Sequence, residues 1–400
     1  MRVANAVTGC WKGAWDEAGV AHWAAGLRSR LAAPTVTLGQ VYLSPDHFEH
    51  AAEVLEVLRL HARIPLLVGC SGSGLVCDGE ERQGEPGIVL ALHHLPGARL
   101  KASHLTPANL EELSDPADLR KELGVSDSPP NAWLILGSPS GLPGEAWVRR
   151  WNAAFPGVPA LGGLASGTAS PLAVQLYLDG EVHEEGLVAL AVGGDVTIEP
   201  LVSQGCMPIG QSWLITRSDR NFILGLGNRP AYSVLVDTFN GLTPEEQARS
   251  QNNLFIGLAN NEYHEEFQAG DFLIRNLLGA DPGSGVLAVG AYPRTGQTLQ
   301  FHRRDAAAAG QELGRLLEGL RERLRGRTVH GGLMCLCLGR GARMFGRPDP
   351  DAALVQEQLG PLPMAGFFGN GEIGPVGDAN FLHGYTAVLG LFVSRYADPS

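Results

Sequence analysis

The sequence predicts a mixed α/β protein of two related domains, with helices packed on mixed parallel and antiparallel sheets. Three observations predict it. A strand–helix–strand–glycine loop–strand order occurs three times along the chain. The length of 400 residues exceeds what one hydrophobic core usually serves. The 53 glycines and 26 prolines are spread out, which suits many tight turns rather than a disordered tail.

The first copy opens with the strand Val36–Leu43 (VTLGQVYL). Ser44-Pro45 then offers an N-cap with proline at the first helical position. From Asp46 to Ala62, Phe48, Ala51, Ala52, Leu55, Leu58 and Ala62 recur at helical spacing. Ile64–Val68 is a short apolar strand, Gly69–Gly74 a glycine loop, and Gly87–Leu92 a return strand. The second copy repeats this order: Trp133–Leu136, Ser138-Pro139, a helix over Trp147–Phe155, Val158–Leu161, the loop Gly162–Gly167, and Gly186–Val192. Pro45 precedes Pro65 by twenty residues, and Pro139 precedes Pro159 by twenty.

The third copy is looser. Leu333–Leu338 is its strand, Asp349-Pro350 its helix start, Ala352–Leu359 its helix and Gly384–Phe392 its return strand. Pro350 to Pro363 is only thirteen residues, yet glycines fall three and eight residues after Pro363 as they do after Pro159. Three copies in one order indicate internal duplication. Each strand–helix–strand unit should give a parallel pair with a right-handed crossover, and each return strand should run antiparallel. Between the copies, Gly194–Gly227 reads as a domain junction with a turn-rich connection at Val202–Gly210, dividing the chain into 1–205 and 206–400. Beyond it come a capping box at Thr243–Glu246, a hairpin over Gly270–Ala291, a strand at Thr298–Arg304 and a long helix over Asp305–Leu324.

Composition excludes some functions. Net charge is −12, which argues against a nucleic-acid partner; the arginines of Arg315–Arg327 read as a solvated helix face. No stretch reaches ~18 uninterrupted apolar residues, so no membrane partner is expected, and the reading is a cytoplasmic chain with free thiols. The six cysteines include no C-x-x-C pair, and no helical metal site is indicated among the twelve histidines.

The motifs point to binding more than to catalysis. Neither Ser71 nor Ser73 has the flanking glycines of a nucleophile elbow. Gly69–Gly74 is either an anion-holding nest of backbone N–H groups or a set of ordinary turn glycines. Gly369–Gly374 matches G-x-G-x-x-G by letters, but Pro375, Gly377 and a strand follow where a dinucleotide fold needs a helix. Arg340, between Gly339 and Gly341 at a strand end, either clamps a carboxylate or phosphate or pairs with an acid such as Glu372. Cys337 is either a reactive thiol or a buried one. Glu372, Asn380 and His383 are the polar side chains that stand out in Leu362–Thr386; they either meet a ligand or satisfy each other and the loop backbone.

These segments carry a family resemblance. Leu67–Ser71, Pro159–Gly163, Gly186–Asp195, Val202–Cys206, Gly270–Arg275, Cys337–Gly341 and Gly366–Gly384 resemble FIST-domain proteins, with an N-terminal and a C-terminal part. The resemblance implies an intracellular sensory module that binds small ligands such as amino acids and passes the signal to a separate protein. It also admits a haem-based gas sensor, although no C-x-x-C-H attachment motif is present. An enzyme using Cys70, Cys337 or His383 is the other alternative; no catalytic residue is assigned. The expected ligand pocket is lined by Cys70, Ser71, Gly72, Gly162, Gly163, Cys337, Arg340, Phe367, Phe368, Glu372, Asn380 and His383, with Arg275 included from the C-terminal signature. Arg340 is the expected clamp, Phe367 and Phe368 the apolar wall.

Overall fold

The computed structural model describes residues 2–3, 5–142, 144–169, 172–260, 262, 267 and 270–397. The chain forms two compact units. One comprises residues 1–202, 314–382 and 386–400; the other comprises 203–313 and 383–385. The chain first passes from one to the other at Val202/Ser203. The return at Gly314 gives all three copies to the first unit.

Three sheets build that unit, and each has the same strand order. At the centre of each is the expected parallel pair: Leu38–Leu43 with Leu67–Ser71, Ala132–Gly137 with Ala160–Leu164, and Thr328–Cys337 with Met364–Gly369. The return strands Gly87–His93, Leu187–Gly194 and Ala387–Ser394 lie antiparallel beside the first member of each pair. The helix of the first copy is in two parts, a 3₁₀ turn over Pro45–His50 and an α-helix over Ala51–Ala62. The break falls at His50, whose φ of −115° and ψ of 11° are not helical. The second and third helices are Ala146–Ala154 and Ala352–Leu359.

The outer edges of the sheets are exchanged. Each glycine loop leads into a hairpin that joins the sheet of another copy. Gly74–Gln83 extends the third sheet, Leu176–His183 the first, and Glu372–His383 the second. Asp78, Asp179 and Gly377 take φ of 54°, 54° and 60° at the tight turns of these hairpins, as a two-residue hairpin turn needs. The other edges follow the same scheme. Ala98–Leu105 joins the second sheet and Val196–Ser203 the third, while the N-terminal strand Ala6–Lys12 fills that place in the first. The result is a closed ring of three pseudo-equivalent sheets. Their inner faces share one core that includes Tyr42, Cys70, Leu134, Leu190, Cys335 and Phe367.

Matching glycines sit at the contacts of the parallel strands. A Cβ on Gly69, Gly162 or Gly366 would lie 1.9, 2.0 or 1.8 Å from the carbonyl oxygen of Val41, Ile135 or Met334. Only a residue without a side chain allows each strand to approach its neighbour this closely.

The second unit is a closed antiparallel barrel. Strands Cys206–Asp219, Thr298–Arg304, Leu254–Ala259, Phe272–Asp281, Val286–Val289 and Phe222–Leu226 pair in that order, and the last pairs back to the first. The expected turn-rich connection at 202–210 is therefore only a break at Gln204-Gly205, followed by a 14-residue strand. Pro208 and Gly210 are carried inside that strand, and an irregular register between Ile209 and Trp213 absorbs them. The Gly270–Ala291 hairpin and the Thr243 capping box are present as expected. Ile209, Ile256, Leu258, Leu287, Leu299 and Phe301 are in the barrel core. The long helix spans Ala306–Arg323.

Candidate functional site

The three glycine loops leave the carboxyl ends of the second parallel strands, where α/β sheets commonly place ligands. They meet one another. Ser166 of the second loop joins the other two: its N–H donates to Ser71 O at 3.2 Å, and its hydroxyl donates to Phe368 O. Ser73 donates its N–H to Ser166 Oγ at 2.8 Å and its hydroxyl to Gly167 O at 2.9 Å. Asn370 donates its side-chain amide to Ala165 O at 3.0 Å, and Leu164 N–H donates to Gly371 O at 2.7 Å. Ser71 Oγ donates to Ser166 O at 2.8 Å and accepts from Gln175 N–H at 3.0 Å.

Ser73, Ser166 and Asn370 occupy one structural position. Each lies four residues after its strand glycine, at 69, 162 and 366. Ser166 is buried, Ser73 is half-buried and Asn370 is exposed, so the cluster runs from core to solvent. All three lie in the loops that the sequence assigns to the pocket, but none of them is among the residues it singles out there. The signal was the equal offset, hidden because the chemistry changes from hydroxyl to amide.

Most of the predicted residues are placed around this convergence. Cys70, Ser71, Phe367 and Phe368 are fully buried, and Phe367 stacks on Tyr42 at 5.3 Å between ring centroids. Burial pushes the Cys70 thiol well above its ordinary value, so this thiol is held protonated. Gly72 donates to Leu43 O at 2.9 Å, and a Cβ there would meet Gly74 O at 2.6 Å. Gly162 and Gly163 lie in the second parallel pair, and Glu372 sits opposite Gly163. The buried Glu372 carboxylate accepts from Thr386 Oγ1 at 2.7 Å and from Thr386 N–H at 3.2 Å.

Five predicted residues have other settings. Arg340 is buried and forked onto Asp351, with Nε–Oδ2 at 2.8 Å and Nη2–Oδ1 at 2.7 Å. The acid it forks onto is Asp351, and this pairing occupies the Nε and Nη2 donors expected to clamp a ligand. Asn380 lies at the opposite end of the parallel strands, where its Oδ1 accepts from Ala160 N–H at 2.7 Å. Asp78 Oδ1 does the same for Met364 N–H at 3.1 Å and Asp179 Oδ1 for Leu67 N–H at 3.0 Å. Asn380 is thus the third of three locks, each from a hairpin to the strand of another copy. Arg275 and His383 fall in the second unit, where Arg275 Nη1 donates to Ile274 O at 2.9 Å. Cys337 is half-buried at its strand end, its N–H donating to Thr386 O at 3.0 Å.

Hydroxyls, an amide and backbone N–H groups can bind and orient a polar ligand. Ser166 commits its proton to a carbonyl, so it lacks the base partner of an activated nucleophile. Among the described residues no cluster of metal-ligating side chains occurs, and no helix is long and apolar enough to cross a membrane.

Residues 37–229 match the FIST N domain and residues 231–375 the FIST C domain. The chain belongs to the FIST-domain family. An uncharacterized protein of Mycobacterium tuberculosis is 36% identical over 370 residues, spanning 92% of this chain and 94% of that one. An uncharacterized protein of Mycobacterium bovis is 36% identical over 366 residues, with 92% and 93% covered. The family's division at 229/231 lies within the barrel unit, so the FIST N match includes its first strands.

Proposed function

We propose that this FIST protein is a small-molecule sensor whose ligand binds at the solvent-facing rim of the three converging glycine loops. FIST domains are generally taken as small-ligand-binding sensory domains. The observation that carries the reading is the meeting of Ser73, Ser166 and Asn370, one position from each repeat, at the carboxyl ends of three parallel strand pairs. The ligand class is an amino acid or another small carboxylate. Its carboxylate accepts from rim N–H groups and the Asn370 amide; the net charge of −12 gives no long-range attraction, so affinity rests on directed short contacts. A separate signalling protein receives the output.

A thermal-shift screen of the amino acids tests this on wild type, Ser73→Ala and Asn370→Ala. A ligand at a hundred times its Kd stabilises the folded chain by about 2.7 kcal/mol, a shift of several degrees. Both variants should lose most of that shift. Failure of every amino acid to stabilise wild type would sink the amino-acid reading; an undiminished shift in both variants would move the site elsewhere. Arg340→Ala is the poorer probe, because it leaves Asp351 buried without its cation.

A further inference from the structure

In the barrel, the strand Thr298–Arg304 turns alternate side chains to the core, and that row ends on a cation. Leu299 and Phe301 lie in the barrel core, and Arg303 follows them on the same face, only 3% exposed. Met207 and Leu254 stand opposite it on the two neighbouring strands. The Arg303 Nε and Nη1 atoms are buried and have no hydrogen-bond acceptor among the described residues. Its Nη2 lies 3.8 Å from Asp305 Oδ2, too far for a hydrogen bond, and Arg249 Nη1 is equally far from the same oxygen. Asp305 Oδ1 is committed to the Ala308 N–H at 2.9 Å.

What the guanidinium does bond is a thioether: Arg303 Nη2 donates to Met207 Sδ at 3.5 Å. A thioether sulfur is a weak acceptor, and a buried cation with weak or missing acceptors costs stability. Met207 is 38% exposed, whereas Met334 and Met364 are fully buried and Met344 is half-buried. A small oxidant therefore reaches Met207 first among the described methionines. Nη2 also belongs to both two-donor edges of the guanidinium, one shared with Nε and the other with Nη1. An oxygen added to Met207 Sδ comes to the one donor that neighbours both unused ones.

We propose that Met207 is a reversible oxidation site, where a hydroperoxide converts the thioether to a sulfoxide that Arg303 then binds. A sulfur lone pair attacks the terminal peroxide oxygen, the S–O bond forms and the O–O bond breaks. The proton on the transferred oxygen passes to the departing alkoxide. One thioether and one hydroperoxide thus give one sulfoxide and one alcohol, with sulfur oxidised by two electrons and the peroxide reduced by two. A sulfoxide usually disrupts packing. Here the effect has the opposite sign, because the new oxygen is the acceptor that the guanidinium lacks. Oxidation fastens the strand Cys206–Asp219 to Thr298–Arg304 where Met207 faces Arg303. All of these residues belong to the barrel unit, and none is part of the proposed ligand site.

Hydrogen peroxide on the full chain tests this, followed by dithiothreitol, which restores oxidised thiols and leaves sulfoxides. Peptide mass spectrometry should find one added oxygen on Met207 before any on Met334, Met344 or Met364. Amide hydrogen exchange in Thr298–Arg304 should then slow about tenfold, the size of one hydrogen bond gained by a charged group. Methionine sulfoxide reductase should restore the original rates. Met207→Leu keeps the apolar volume, and its exchange should not respond to peroxide. Met207→Gln, which offers Arg303 an amide oxygen, should slow exchange without peroxide. The proposal is overturned if another of these methionines oxidises first, if the oxidised strand exchanges as fast as the reduced one or faster, if Met207→Leu responds as wild type does, or if Met207→Gln exchanges like untreated wild type.

Discussion

The ring and the barrel are both closed sets of strands, but they close differently. In the ring, each sheet borrows a hairpin from another copy, and Asp78, Asp179 and Asn380 pin those hairpins to the strands they extend. The barrel closes through two long strands, Cys206–Asp219 and Phe272–Asp281, each pairing with different neighbours at its two ends. A fault in one ring sheet therefore reaches a neighbouring copy through the shared hairpin. A fault in the barrel is met by bulges, such as the irregular registers at Ile209/Trp213 and Leu277/Gly279. The ring should thus be the less tolerant of the two.

The largest expected effect comes from the strand glycines. Gly366→Ala forces a Cβ within 1.8 Å of Met334 O, a backbone atom in a central strand that cannot rotate away. Losses above about 4 kcal/mol, or failure to fold, are expected. In the barrel, a Cβ on Gly257 would come 2.4 Å from His302 Cε1, the edge of a side chain. Gly257→Ala should cost about half as much, because a ring can shift where a carbonyl cannot. Urea unfolding of both variants measures the difference; equal losses would remove the contrast between the units.

Next is acid sensitivity, where the units should agree. Burial lowers the pKa of His93 in the ring and of His302 in the barrel from 6.5 to about 4. Burial outweighs the bonds that His93 Nδ1–H donates to His330 O at 2.7 Å and His302 Nδ1–H to Gln300 O at 3.0 Å, which by themselves raise each pKa. A depressed histidine stabilises fully above pH 6.5 and loses that contribution as pH falls from 6.5 through 4. The loss is on the order of 3 kcal/mol for each group. Hydrogen exchange at pH 7 and pH 5 should show strands of both units opening more readily in acid, and His302→Gln should flatten the response in the barrel alone. An unchanged barrel profile in that variant would refute the assignment.

The three locks come third. Asp78→Ala and Asp179→Ala each leave a strand N–H without its acceptor and should cost about 1–3 kcal/mol. Asn380→Ala also removes bonds to Asn152 and Val158, so it should lie at the upper end. Asp179→Asn should be nearly silent, because the third copy already uses an amide oxygen at its own lock. A loss in Asp179→Asn equal to that in Asp179→Ala would show that charge, not the acceptor, holds the hairpin.

How much of this could be read beforehand follows from the range of the interactions. The parallel pairs, return strands and glycine loops were legible because each is written in a continuous segment, with periodicity and turn residues side by side. The convergence of the loops was legible only in part. Ser71 and Phe368 drew notice through their glycines, whereas Ser166, which joins all three loops, looked like an ordinary loop serine. The exchange of hairpins was not legible, since the pairing of Leu176 with Cys70 depends on segments far apart in sequence. Asp351 was missed as the partner of Arg340 for a related reason. It stands at the head of a helix, in the place of a cap, but Glu81 Oε1 accepts the N–H groups of Asp351 and Ala352 there, at 2.7 and 2.9 Å, and leaves Asp351 to the arginine. The barrel strand from Cys206 was hidden by Pro208 and Gly210, which normally mark turns.

The smallest effect discriminates most finely, because each unit carries a capping box. Thr106 and Asn109 close one in the ring, and Thr243 and Glu246 close one in the barrel. Removing the hydroxyl in Thr106→Ala should cost about 1 kcal/mol. Thr243→Ala breaks the same kind of bond, but its box also includes a carboxylate that titrates. The backbone and side-chain hydrogen bonds from Thr243 lower the Glu246 pKa from 4.5. A depressed carboxylate stabilises above its unfolded pKa and loses that contribution as pH falls through the folded value. The amide of Asn109 has no such step. Exchange rates of the Asn109 and Glu246 N–H groups, which the two threonines accept, report each box locally. At neutral pH both variants should speed exchange by a similar factor. Below pH 4.5 the Thr243→Ala effect should shrink towards wild type while the Thr106→Ala effect persists. Equal persistence of both would mean that the Glu246 carboxylate contributes nothing to its cap and that the hydroxyl alone sets each helix start.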